Sequence, residues 1–258
     1  LFRKTIIIIL NINFREEIMS IKSLVFMSLF LFAFSSKSAE VVGFYSNGEL
    51  WRADSVLDHD PKFTKLFLNR EKNYTSNEMR SALQELADFV QSQYSKTEVL
   101  QVGDLSARGG GPAPRHVSHQ NGIDADLVYL RKNRDSQSPN QPEWAERFVR
   151  NQKITRNFDL VRNWELLKYT VENYDVGRIF VDRVIKRSFC EYARKNNILE
   201  RKDVVAFLRR LRPARYHDTH FHIRLKCPEG HNRCDEQHAP PQGHGCGEYA
   251  LSLISETC

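Results

Sequence analysis

The sequence has no cysteine before position 190, no glycine-rich loop followed by Lys-Ser or Lys-Thr, no repeat at a solenoid period and no apolar run comfortable for spanning a bilayer. These absences exclude a phosphate-loop nucleotide enzyme, a repeat array and a membrane-embedded protein. Neither sign of charge dominates. The formal net charge is +6; residues 1–39, with five Lys/Arg and two Asp/Glu, carry +3 of it, leaving +3 for the remainder. That surplus gives no footing for nucleic-acid binding, although mild basicity suits an anionic polymer. With 41% hydrophobic and 27% charged residues, the composition is that of a folded globular chain able to bury a sizeable core.

Residues 1–39 read as a secretory signal peptide. Met19 is an alternative start; Lys22 supplies a basic flank, residues 24–34 an apolar core, and Ser35, Ser36, Ser38 and Ala39 the small residues of an exit, with cleavage expected near Ser38 or Ala39. The alternative is an uncleaved anchor helped by residues 5–10. Residues 40–258 form the expected mature domain, exported and without a stable membrane span. In an exported chain, Cys190, Cys227, Cys234, Cys246 and Cys258 read first as disulfide partners, with one left over.

Patterning along residues 40–258 mixes strands and helices without regular alternation, which predicts an α+β fold. Residues 41–48 read as a strand closed by the turn pair Asn47-Gly48, and Thr75 and Glu78 have capping-box spacing ahead of a helix over 76–94. Strands are expected at 98–102, 124–130, 178–181 and 220–225, and helices around Leu160–Val171 spacing, 184–194 and 203–211. The Gly- and Pro-rich stretch 106–114, the polar stretch 131–143 and the tail 227–258 read as loops.

Two clusters carry the chemistry. His116, His119, Asp124 and Asp126 make the first; His217, His220 and His222 make the second, and together they hold five of the nine histidines. On a strand, residues two apart share a face, so His220 and His222 crowd one patch and Asp124 and Asp126 another. Paired imidazoles suit a metal ion with a neighbouring catalytic group, and paired carboxylates repel unless a cation or donors stand between them. A catalytic zinc takes three protein ligands and one water, which a His, His, carboxylate set supplies. The residue types alone do not choose between Asp124 and Asp126, nor rank His116 against His119.

The run His119-x6-Asp126 followed by His220-x-His222 resembles the zinc signature shared by lysostaphin-type enzymes, D-Ala-D-Ala metallopeptidases and the hedgehog signalling domain. The fuller pattern is similar to that of the penicillin-insensitive murein endopeptidases: His116-x2-His119-Gln120-x-Gly122-x-Asp124-x-Asp126, then His217-x2-His220-x-His222-x-Arg224-Leu225-x-Cys227-Pro228. Ser46-Asn47-Gly48, Gly103-Asp104, Pro240-Pro241 and Gly245-Cys246-Gly247 extend it over nearly all of residues 40–258. The resemblance implies a central, mostly antiparallel sheet carrying one zinc ion, with helices outside and a disulfide-tied tail. It implies zinc ligands His119, Asp126 and His222, with His116 a candidate for a further contact to this ion or a second one. His220 and His217 are implied as catalytic groups beside the metal, His220 as general base or oxyanion partner. The implied substrate is the D-alanyl–diaminopimelyl cross-link of peptidoglycan peptides in the periplasm, and the implied disulfides are Cys190–Cys246 and Cys227–Cys234.

Two departures bear on this. Glu49 stands where the family can carry a cysteine, leaving Cys258 without its expected partner, and residues 151–155 lack the Asp and His that bind an extra metal in some members, so a second ion is not carried over. Other readings are a D,D- or L,D-carboxypeptidase or dipeptidase with an arginine closing the groove (Arg115 and Arg224 lie near the motifs), a non-catalytic zinc-dependent binding domain, and a structural zinc site on Cys227, Cys234 and Cys246 with His231, His238 or His244.

Overall fold

A computed structural model describes residues 38–94 and 98–247. Most of the expected signal peptide and Cys258 lie outside the described residues. The fold is α+β. Four α-helices, α1 (Asn77–Gln93), α2 (Leu160–Asn173), α3 (Arg183–Lys195) and α4 (Lys202–Arg210), accompany ten strands among the described residues. Six of these form one mixed sheet in the order β3 (Thr64–Lys65), β4 (Gln101–Val102), β5 (Asp124–Val128), β10 (His220–Leu225), β8 (Val176–Val181) and β9 (Leu211–Pro213). The four middle strands run antiparallel, and only the outer pairs β3–β4 and β8–β9 are parallel. Two hairpins, β1 (Glu40–Phe44) with β2 (Asn47–Trp51) and β6 (Val149–Arg150) with β7 (Lys153–Ile154), stand apart from it.

The period of two explains the middle of the sheet. On β5 and β10, Ala125, Leu127, Phe221 and Ile223 are buried and join the main hydrophobic core, together with Met79, Leu83, Leu86 and Val90 of α1. Burying each large side chain contributes about 1.5–3 kcal/mol. The alternating residues Asp124, Asp126, His220, His222 and Arg224 therefore share the opposite face. Register then aligns them: His222 faces Asp126 and Arg224 faces Asp124 across the ladder.

Three local expectations need correction. The β1–β2 turn is Tyr45-Ser46, and Asn47 and Gly48 already pair with Phe44 and Gly43. Gly48 is small for packing rather than for turning, since a Cβ there would lie 2.5 Å from the Phe44 carbonyl oxygen and 2.9 Å from Asn121 Cβ. The cap of α1 is Ser76, whose hydroxyl accepts from the Met79 N–H at 3.2 Å, while the Thr75 hydroxyl donates to the Gly122 carbonyl at 2.8 Å. Leu211 leaves the last helix because it pairs with Ile179 at the start of β9. The β6–β7 hairpin was not expected; its turn residues Asn151 and Gln152 have φ of 50° and 59°, as a tight primed turn requires.

Disulfides join Cys190 on α3 to Cys246 in the tail and Cys227 to Cys234 just after β10. They consume all three cysteines of the structural-zinc reading. No helix among the described residues is long and apolar enough to cross a membrane.

Candidate metal centre

The loop between β4 and β5 is fastened before it delivers His119. Gly122 N–H donates to Ser106 Oγ at 2.9 Å, Asn121 Nδ2 to the Gly43 carbonyl at 3.2 Å, and Gln120 N–H to the Tyr45 carbonyl at 3.3 Å. Gly122 sits at φ +87°, where a Cβ would also strike Leu50 Cδ1 at 2.7 Å. His119 itself is held at φ 64°, a costly conformation for a non-glycine residue. On the other flank, Gly103 N–H donates to the Asp126 carbonyl and Asp126 N–H to the Asp104 carbonyl, at 2.7 and 3.1 Å. The backbone on both sides of Asp126 is thus fixed.

The two sequence clusters meet on the polar face of β5 and β10. From Asp126 Oδ1, His119 Nε2 lies 3.3 Å away, His222 Nδ1 3.5 Å and His220 Nε2 3.6 Å. His116, His119 and Asp126 each offer a ligand atom, all within 4.8 Å of one another. The His217 ring centroid stands 5.0 Å from that of His220 and 6.1 Å from that of His222. All six sequence-predicted site residues and Asp124 are thus gathered within one constellation.

Hydrogen bonding divides the two aspartates. Asp124 is spoken for: Oδ1 accepts from Arg224 Nε at 2.7 Å and lies 2.6 Å from His222 Nε2, and Oδ2 accepts from the His119 N–H at 3.4 Å. Neither oxygen of Asp126 and neither ring nitrogen of His119 has a hydrogen-bond partner, although both residues are buried. Buried polar atoms without partners are costly, and a divalent cation would answer the Asp126 carboxylate and one His119 ring nitrogen together. The donor set of imidazole and carboxylate fits zinc or a similar ion.

Electrostatics follow from burial. Burial would raise the Asp126 carboxyl, but the His119 and His220 rings beside it hold it well below the usual carboxylate range. Burial likewise works against Asp124, and the Arg224 guanidinium, then His222, overcome it and hold that carboxyl low. Burial pushes His220 down to about 3 and His222 to about 4, with Asp126 and Asp124 respectively offsetting only part of the effect. His217 is lowered by burial too. His119 is the exception: burial would lower it, and Asp126 lifts it above its ordinary value. Neutral His222 carries its proton on Nε2, toward Asp124, which leaves the Nδ1 lone pair facing Asp126. The His217 Nδ1–H donates to the Arg215 carbonyl at 2.6 Å, which puts its lone pair on Nε2.

The constellation opens into a cleft of about 290 Å³ whose walls carry Arg70, Arg115, Trp144, Arg147 and Tyr216. Of these, sequence reasoning had noted only Arg115. Arg115 is at the rim and paired with Glu143 at 2.6 Å. Arg224 is not in the cleft: it is buried, donates to Gln237 Oε1 at 3.0 Å and lies 3.4 Å over the Tyr45 ring. Trp144 stacks on His220, with ring centroids 4.3 Å apart and planes 10° from parallel. Gly103 makes room for it, since a Cβ there would come 2.4 Å from the indole. An aromatic residue immediately after a thirteen-residue polar stretch, and one of three tryptophans in the chain, was the available signal. Arg70 reaches across to Asp104 at 2.8 Å, and the same Asp104 oxygen is 3.0 Å from His116 Nε2.

A family profile described as penicillin-insensitive murein endopeptidase matches residues 41–257. Among curated proteins bearing that name, the one from Haemophilus influenzae is 30% identical over 220 residues, covering 83% of this chain and 73% of its own length. One from Escherichia coli is 30% identical over 214 residues, and one from Klebsiella pneumoniae is 28% identical over 226 residues, each covering 81% of this chain and 74% of its own.

Proposed function

The chain belongs to the penicillin-insensitive murein endopeptidase family, and from that premise we propose that it is a zinc-dependent hydrolase of D-alanyl–diaminopimelyl cross-links in peptidoglycan, acting in the periplasm. The observation that carries the zinc assignment is the set of four unpartnered buried atoms on His119 and Asp126, with His222 Nδ1 turned toward them. His119, Asp126 and His222 would hold the ion, with His116 within reach of the same position. A zinc ion held there would supply a water with a pKa of about 7 and would polarise the scissile carbonyl. The disulfides suit an exported location.

The protein's own groups do the rest. Asp124 fixes the His222 tautomer and, through Arg224, is itself held ionised. His220 is neutral at physiological pH, has Nδ1 placed by Thr219 Oγ1 at 2.8 Å and presents Nε2 toward Asp126. Its Nε2 is therefore the atom suited to take a proton from the attacking water and to return it to the leaving amine. His217, beside it, is suited to donate to the developing oxyanion once protonated. No serine or cysteine nucleophile is required, so the mechanism offers no side chain for a penicillin to acylate.

Purified protein incubated with muropeptide dimers should yield monomers when zinc-replete and none after chelation. Intact dimers under zinc-replete conditions would refute the proposal, as would trimmed peptides with their cross-links preserved, which indicate a carboxypeptidase.

A further inference from the structure

Four arginines line the catalytic cleft, and three are already matched. Arg70 pairs with Asp104 at 2.8 Å, Arg115 with Glu143 at 2.6 Å, and Arg147 with Asp218 at 3.0 Å. Arg215 alone of the four has no carboxylate partner among the described residues. Its side chain is exposed, but its backbone is held: the Arg215 carbonyl accepts from His217 Nδ1 at 2.6 Å, and the preceding Ala214 N–H donates to the Val181 carbonyl at 2.9 Å. The next residue, Tyr216, sits at φ 64° and is 84% exposed. A tethered turn therefore presents one uncompensated guanidinium and one bare aromatic ring beside His217 and His220.

The substrate read in the preceding subsection supplies the missing anion. The scissile nitrogen of a D-alanyl–diaminopimelyl bond belongs to an amino-acid centre that keeps its own carboxylate. That carboxyl carbon is two bonds from the nitrogen, so any productive pose brings a negative charge to the wall next to the catalytic histidines. Arginine is the side chain whose planar fork matches a carboxylate in two hydrogen bonds. We propose that Arg215 binds this carboxylate and sets the specificity of the enzyme for the amine side of the cross-link. The proposal rests on the endopeptidase reading. The other three arginines shape the walls, their charges being met by carboxylates of the protein itself.

The test uses zinc-loaded protein and two defined muropeptide dimers, one native and one with that single carboxylate converted to a carboxamide. Wild-type kcat/KM should fall by about tenfold to a hundredfold on the amidated dimer, the range for losing a hydrogen bond to a charged group. Arg215→Gln should lose a similar factor on the native dimer and cleave the two dimers alike, while Arg115→Gln should keep the wild-type discrimination. Equilibrium binding of both dimers to chelated protein, where nothing is turned over, should show the same split. Indifference of the wild type to amidation overturns the proposal, and so does discrimination that survives in Arg215→Gln. Wild type that cleaves neither dimer instead refutes the endopeptidase reading, so the two failures are distinct.

Discussion

Asp124 and Asp126 share a strand face, yet their asparagine variants should fail in different ways. Asp124 is the counter-ion of Arg224, whose side chain is 1% exposed and whose Nη2 already lacks a partner. Asp124→Asn leaves that guanidinium buried without its charge partner. Removing one member of a buried pair costs about 3–5 kcal/mol. At roughly 2–4 °C per kcal/mol for a domain of this size, melting should fall on the order of 10 °C. Asp126 accepts no hydrogen bond, so Asp126→Asn deprives the fold of little and should move melting by only a few degrees. Both measurements are made in chelator, because a bound ion would add its own stabilisation. Metal titration then inverts the order. Asp126→Asn removes a proposed ligand and should abolish zinc retention, whereas Asp124→Asn loosens only the support of His222 and should weaken affinity by about 10–100-fold. Calorimetry showing equal melting for the two chelated variants, or tighter zinc binding by Asp126→Asn, would refute this division.

The proposed histidine roles make a similar pair: His222→Ala should lose zinc, while His220→Ala should keep zinc and lose about 10²–10⁴-fold in turnover; equal zinc loss by metal analysis would contradict it. The metal-free protein should lose stability as pH falls from about 6.5 toward 4, because the unfolded chain takes up protons that buried His217, His220 and His222 refuse. His119, raised by Asp126, works in the opposite sense, its stabilisation being present at low pH and lost as pH rises through its folded value, but it is one group against three. A chelated denaturation series with no loss of stability over that window would count against the buried neutral histidines. The Cys190–Cys246 bond spans 56 residues and the Cys227–Cys234 bond 7. Loop entropy assigns them about 4 and about 2.5 kcal/mol, so the Cys190→Ala/Cys246→Ala pair should melt lower than the Cys227→Ala/Cys234→Ala pair, and the reverse order would show that the tail is held by other contacts.

Local periodicity made β5, β10 and α1 legible, since the same alternation that buries Leu127 and Phe221 separates Asp126 and His222 onto the other face. The two histidine clusters were visible for the same reason. Pairing across long sequence separations was not visible: nothing local shows that His222 faces Asp126 rather than Asp124, or that Arg224 is spent on Asp124. Arg224 has the parity of His220 and His222 on β10 and so shares their face of the sheet. Trp144, Arg70 and Asp104 come from three different connections, and their meeting with His220 and His116 is a property of the loops as folded. Turn and cap positions shifted because tertiary contacts claimed the residues: Asn121 packs against Gly48, and Gly122 takes the Thr75 hydroxyl.

Register links these levels. A slip of one residue between β5 and β10 would set His222 against Ala125 or Leu127 and turn one strand's polar set inward, burying either Asp124 and Asp126 or His220, His222 and Arg224 in the apolar core. That alternative is excluded by the cost of burying charges without partners, which exceeds anything the apolar side could recover. The groups that make the site chemically useful are thus also the ones that fix the pairing of the strands. Asp124 is the clearest case, since one carboxylate joins β5 to β10 through Arg224, sets the His222 tautomer and accepts from the His119 backbone. The remaining two faces of the constellation, Asp126 and the His119 ring, are left unsatisfied by the fold, and it is this deliberate deficit in an otherwise closed polar network that points to a cation.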